Sequence, residues 1–104
     1  MEEAFKDVTN QIADYARNVS SIEKVMLYGY RAREDNRQNS DINLCIFCDK
    51  SQADVLVNFR MFLDELDPYF TFDVCHYEVI SNDKLKENIL SEGKVIYDKY
   101  KIKT

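Results

Sequence analysis

The sequence has little of what linkers, tails and cross-linked scaffolds are made from. Two glycines and one proline among 104 residues leave no flexible linker and no low-complexity tail. With 45% hydrophobic residues, six Phe and seven Tyr, the composition is that of an ordered globular chain. Three cysteines are an odd number, which argues against a disulfide framework and fits a reducing compartment. No apolar run approaches the roughly 20 residues needed to cross a bilayer, and the acidic opening Met1-Glu2-Glu3 is unlike the basic start of a signal peptide. A cytoplasmic protein without membrane contact is expected. Basic charge is also short: 14 Lys and Arg against 19 Asp and Glu give a net charge of -5. General binding to a nucleic-acid backbone draws its affinity from cations that neutralise phosphates, so it is not expected. The length corresponds to one domain over 1–104, and folding at this size buries roughly 65% of the unfolded surface.

A single histidine, His76, follows Cys75, and Cys45 with Cys48 forms a C-x-x-C. Zinc is not the expected reading. Both pairs lie in runs that read as strands, where residues three apart point to opposite faces and cannot converge on one ion. Buried thiols and a strand histidine are expected.

Apolar residues at Phe5, Val8, Ile12, Tyr15, Ala16 and Val19 recur every three or four positions and predict an amphipathic helix. Val25 to Tyr28 is a short apolar run of strand length that ends at Gly29, and a polar, arginine-rich loop follows from Tyr30 to Ser40. If that loop opens as a short helix, its first N–H groups offer a seat for a phosphate; otherwise it is a solvated connection. Asp41 to Cys48 returns to strand pattern, with Asp41, Asn43, Cys45 and Phe47 on one face and Ile42, Leu44, Ile46 and Cys48 on the other. Ser51 and Asp54 resemble a capping box before a second helix carrying Ala53, Leu56, Val57, Phe59, Arg60, Leu63 and Leu66 as a mostly apolar stripe, stopped by Asp67-Pro68.

Tyr69 to Tyr77 predicts a third strand. Phe70, Phe72, Val74 and His76 share one face; Thr71, Asp73, Cys75 and Tyr77 share the other. An acid in mid-strand either sits on a solvated face or has a partner or metal, because an ionised carboxylate is costly to bury. Ser81 or Asn82 starts a third helix with Leu85, Ile89 and Leu90 as its apolar side. Gly93 suits a left-handed helix end. Val95 to Tyr97 forms a last short strand, and Lys99 to Thr104 reads as a basic, frayed tail.

A glycine ending one strand, a polar loop, Asp41-Ile42-Asn43 opening the next strand and Asp73 inside a third form a specific pattern. The chain resembles the minimal nucleotidyltransferases of the DNA polymerase beta-like superfamily. Their motif is Gly-Ser, a short spacer and Asp-x-Asp, with a third Asp on a later strand; here it reads Gly29-Tyr30, Arg31 to Ser40, Asp41-Ile42-Asn43 and Asp73. The run ILSEGKVIY from Ile89 to Tyr97 matches the family's common tail, so the likeness covers nearly the whole chain. The resemblance implies an α/β (α+β) nucleotidyltransferase-like fold, a small mixed sheet flanked by helices. It also implies Mg2+ held by Asp41, Asn43 and Asp73, with Asp41 and Asp73 catalytic. Gly29, Tyr30, Arg31 and Arg33 would meet the phosphates of an NTP, most simply ATP.

Two departures bear on activity. Tyr30 stands where the family has serine, and its ring would occupy the space a phosphate needs unless it swings away. Asn43 replaces the second aspartate and removes a unit charge beside two dications. A unit pair at 4 Å is worth about 4 kcal/mol at an effective dielectric of 20, and each ~1.4 kcal/mol is about tenfold in rate. The expectation is a degenerate member with weak or absent transfer, acting as the antitoxin or binding partner of a HEPN-domain toxin, as the resemblance implies. Since 104 residues leave no room for the acceptor-holding second domain of larger nucleotidyltransferases, a partner or a second copy is expected to complete the site. The alternative is an active adenylyltransferase acting on a partner protein or a small hydroxyl compound. A third reading is an α/β interaction module that handles no nucleotide.

Overall fold

The computed structural model describes residues 2–29, 42–49 and 51–101. In chain order it forms α1 (Glu2–Arg17), β1 (Lys24–Tyr28), β2 (Ile42–Phe47), α2 (Ala53–Asp64), β3 (Phe72–His76), a 3₁₀ turn (Tyr77–Val79), α3 (Asp83–Glu92) and β4 (Lys94–Asp98). The strands make one mixed sheet in the order β3-β2-β1-β4. β1 pairs antiparallel with β2 and with β4, and β2 pairs parallel with β3. The architecture is α+β. No described helix is long and apolar enough to cross a membrane.

Strand parity sorts the core onto two faces. Ile42, Leu44, Ile46 and Cys48 of the β2 segment join Val25, Leu27 and Val74 under α1 and α2, which contribute Val8, Ile12, Ala16, Val55, Phe59 and Leu63. Tyr15 of α1 stacks on Phe62 of α2 at 4.2 Å between ring centroids, fastening the two helices to each other. On the opposite face Met26, Cys45 and Phe47 pack with Ile89 of α3, and Tyr28, Cys75, Tyr77, Ile80 and Leu85 lie against them. The alternation expected for residues 42–48 is the one observed, and it holds along β3, which is shorter than the Tyr69–Tyr77 strand expected: Tyr77 enters the 3₁₀ turn and residues 69–71 precede the strand.

Several local expectations differ. The box predicted at Ser51 and Asp54 does not form: Gln52 occupies the cap position with no side-chain bond. Ser51 instead donates from both its backbone N–H and its hydroxyl to Asp49 Oδ1, at 2.8 and 2.6 Å, a local turn that competes with capping. Val57 and Leu90, expected on apolar stripes, are 56% and 51% exposed. Buried Val55, Phe59 and Leu63 carry the inner face of α2, and α3 docks through Ile89. Asn82 caps α3 as expected, its side chain accepting from Leu85 N–H at 3.0 Å.

Gly93 is not left-handed, with φ -74°. Its requirement is space: a Cβ there would lie 2.3 Å from the Ile89 carbonyl oxygen and 3.0 Å from that of Leu27. The tail expected to fray is tied down at its start. Lys99 N–H donates to Glu23 O at 2.9 Å, and Lys99 Nζ reaches Ser20 O at 2.9 Å.

Candidate functional site

β1 ends where β2 begins, and β3 begins beside them, so three strand ends meet at one edge of the sheet. Tyr28 is aligned with Asn43 across the antiparallel pair, and Asn43 with Asp73 across the parallel pair. These three side chains therefore share one rung and one face. Asp73 is exposed, whereas Tyr28 and Asn43 are half-buried. The solvated-face reading of Asp73 and its place beside Asn43 hold together.

Gly29 follows Tyr28 with φ +83°, a conformation in which an L side chain is strained. A Cβ at Gly29 would sit 2.6 Å from Asn43 Nδ2. The glycine thus serves both the turn of the backbone and the close seat of the Asn43 amide. The other residues nominated from the sequence, Asp41, Tyr30, Arg31 and Arg33, lie outside the described residues. Among the described residues, no group of three or more His, Cys, Asp and Glu is placed to hold a metal ion.

Asp73 also lines a groove of about 260 Å³ with Arg60, Leu63, Asp64, Phe72 and Val74. Arg60 donates to the Val74 carbonyl oxygen at 2.9 Å, so its guanidinium caps a backbone acceptor on edge strand β3. Nothing in the sequence spacing connects Arg60 to Asp73. The helix-to-edge-strand packing is what joins them.

One rung further along the same face, Cys45 is aligned with Cys75. Cys45, Cys75 and Tyr28 pack together in one cluster, where hydrogen bonding among their side chains would set how they titrate. These bonds favour the thiolate of Cys75: the bond from Cys45 first, then that from Tyr28, hold it at about 7 against the opposing effect of burial. The partners shift the other way. Cys45 is pushed up by its bond to Cys75 and then by burial, and Tyr28 by burial first and then by its bond to Cys75.

A separate polar contact was invisible in the sequence. His76 Nε2 lies 2.8 Å from the Cys48 carbonyl oxygen, to which it donates, and 3.4 Å from both Cys48 Sγ and Glu78 Oε1. Glu78 Oε1 in turn accepts from Cys48 N–H at 3.2 Å. Burial pushes the Cys48 thiol up to about 11, so this sulfur is held protonated and the histidine serves to satisfy buried backbone.

The family model described as polymerase beta, nucleotidyltransferase, matches residues 10–102. Solved structures share the fold at low identity. A toxin-antitoxin with AMP-PNP is 14% identical, with a TM-score of 0.61, covering 86% of this chain and 73% of that one. The toxin-antitoxin MntA-HepT is 16% identical, with a TM-score of 0.58, covering 89% and 72%. A candidate nucleotidyltransferase from Sulfolobus solfataricus is 15% identical, with a TM-score of 0.58, covering 91% and 81%. No curated protein matches. With the family model spanning nearly all of its length and the motif's glycine, Asn43 and Asp73 meeting at three adjoining strand ends, this chain belongs to the polymerase beta nucleotidyltransferase family.

Proposed function

We propose that this chain is a degenerate minimal nucleotidyltransferase that works chiefly by binding, as the antitoxin of a HEPN-domain toxin in the cytoplasm, with weak or absent nucleotidyl transfer. The observation that carries the reading is the rung Asn43–Asp73, where the family motif calls for two carboxylates and this sequence supplies one. The likeness to toxin-antitoxin structures supports the partner class.

The donor chemistry fits magnesium only in weakened form. Mg2+ takes oxygen ligands and favours carboxylates. Asp73 offers one, Asn43 offers a single neutral amide oxygen, and Asp41 is the remaining ligand by the sequence motif. The Asn43 amide lies where a Cβ at Gly29 would sit, so the glycine is what leaves it that space. Bound there, magnesium would supply neutralisation of triphosphate charge. The chain's own contribution at this point would be the close backbone approach at Gly29, and the sequence motif assigns Arg31 and Arg33 to the phosphates, with Tyr30 in place of the family's serine. Asp73 is the group able to accept the acceptor's proton.

The test uses the purified chain, alone and with its toxin partner, incubated with labelled ATP and magnesium. The expected outcome is little or no transfer, with toxin binding and neutralisation intact in an Asp73→Asn variant. Rapid magnesium-dependent transfer abolished by Asp73→Asn would overturn the proposal. That result would establish the second reading, an active adenylyltransferase, which the exposure of Asp73 favours because it leaves room for an acceptor hydroxyl. Calorimetry with ATP and magnesium separates the two cheaply: binding at millimolar nucleotide supports the enzyme, and none supports the binding protein.

A further inference from the structure

We propose that Cys45 and Cys75 form a reversible disulfide when the folded chain meets a hydroperoxide, a modification site within the same sheet face as Asn43 and Asp73. The two residues are direct partners across parallel strands β2 and β3. Such neighbours lie about 4.8 Å apart, inside the window of roughly 4.4–6.8 Å between Cα atoms that a disulfide accepts. Both side chains pack into one cluster on the same sheet face, with Met26, Phe47 and Ile89. No other pairing is available to this fold. Cys48 packs with the core on the opposite face, while Cys45 packs with the cluster that includes Cys75. An odd number of cysteines thus resolves into one facing pair and one isolated thiol.

Accessibility gives the pair an order of events. Cys75 is half-buried on edge strand β3, whereas Cys45 is fully buried behind it. The hydroperoxide meets the Cys75 sulfur first: an S–O bond forms, the O–O bond breaks, and the thiol proton leaves with the departing oxygen, as water when the oxidant is hydrogen peroxide. The Cys45 sulfur then attacks the Cys75 sulfenic acid. The S–S bond forms, the S–O bond breaks, and the leaving hydroxide takes the Cys45 proton as water. Two thiols lose two hydrogens, and one hydroperoxide is reduced. A resolving thiol already in contact makes the second step faster than further oxidation to sulfinic acid. The crosslink fastens β2 to β3 one same-face rung from Asn43–Asp73, and it consumes a thiol in the cluster that also holds Tyr28. Facing-thiol oxidation of this kind is the transient class of disulfide that a reducing compartment permits.

The experiment treats the native full-length chain with hydrogen peroxide, quenches with an alkylating reagent, and reads intact mass and unreduced peptide maps. The expected result is loss of two hydrogens, a linked pair of peptides bearing Cys45 and Cys75, reversal by dithiothreitol, and a single alkylation at Cys48 after unfolding. Cys48→Ser keeps the link, and Cys75→Ser or Cys75→Ala, each confirmed folded by its thermal transition, abolishes it. Three free thiols after treatment, a Cys75 sulfinic acid beside a free Cys45, or a link only between two chains would each overturn the proposal. The readout is covalent, so it stands or falls separately from nucleotide binding and toxin neutralisation.

Discussion

Replacing Asn43 with Asp places a second carboxylate directly beside Asp73 and tests whether the two positions form one charge site. Aligned partners on parallel strands sit about 4.8 Å apart. Two carboxylates roughly 5 Å apart repel by about 0.8 kcal/mol in water and about 3 kcal/mol at an effective dielectric of 20. Asp73 is exposed and Asn43 half-buried, which selects the lower part of that range, so Asn43→Asp should cost about 1 kcal/mol at low ionic strength and less as salt screens the pair. For a chain of this size that is a fall of about 4–8 °C in Tm. A dication between the carboxylates converts the repulsion into attraction, so millimolar magnesium should raise the Tm of the variant more than that of the parent, through binding to the folded state alone. Thermal melts of both proteins, with and without magnesium and at two salt concentrations, measure all of this. A variant as stable as the parent at low salt and indifferent to magnesium would refute the shared site, and with it the assignment of Asn43 and Asp73 to one metal.

Gly29→Ala should destabilise through its positive φ, by about 1–2 kcal/mol for the backbone, with a further loss as the new Cβ displaces the Asn43 amide. Urea unfolding in the parent and in an Asn43→Ala background separates the two, and equal losses in both backgrounds would dismiss the contact. Ile89 is wholly buried and is the buried residue of α3, so Ile89→Ala should cost about 2–5 kcal/mol and strip hydrogen-exchange protection from α3 first. A loss under about 1 kcal/mol would show that α3 docks by other means. Burial raises the Cys48 thiol from 9.0 to about 11. The unfolded chain therefore releases its proton first as pH rises, and stability should fall between those values by at most about 2–3 kcal/mol. Urea midpoints across that range should flatten in Cys48→Ala, and parallel curves for the two proteins would contradict the assignment.

The faces of the sheet were legible in the sequence because period-two alternation over residues 42–48 and 70–77 has only two solutions, and only one buries Ile42, Leu44, Ile46 and Val74 together. Asn82 was legible because a side-chain oxygen ahead of an apolar periodic run has one common use. The failures are local competitions that composition does not rank. Ser51 had two oxygen partners within reach and took Asp49. Val57 and Leu90 fit a helical stripe, yet α2 and α3 present narrower faces to the sheet than the apolar residues could cover. Gly93 read as a matter of conformation and is a matter of clearance against two carbonyl oxygens. Arg60 and the Cys48–His76–Glu78 contact depend on pairings between distant elements, and no periodicity within one segment encodes them.

The position of the site explains why its motif can change while the fold persists. The buried apolar residues lie along the middle rungs and on the face covered by α1 and α2, where loss of a side chain costs several kcal/mol. The rung Tyr28–Asn43–Asp73 lies at the strand ends, and its polar members are half-buried or exposed. Replacing an aspartate by asparagine there gives up charge, which chemistry on a triphosphate needs, without giving up apolar burial, which the sheet needs. A surface built from the same helices and strands therefore survives the change intact. On the proposed reading, transfer would weaken through small electrostatic steps at the rim, while a binding surface would rest on a shape that the core maintains.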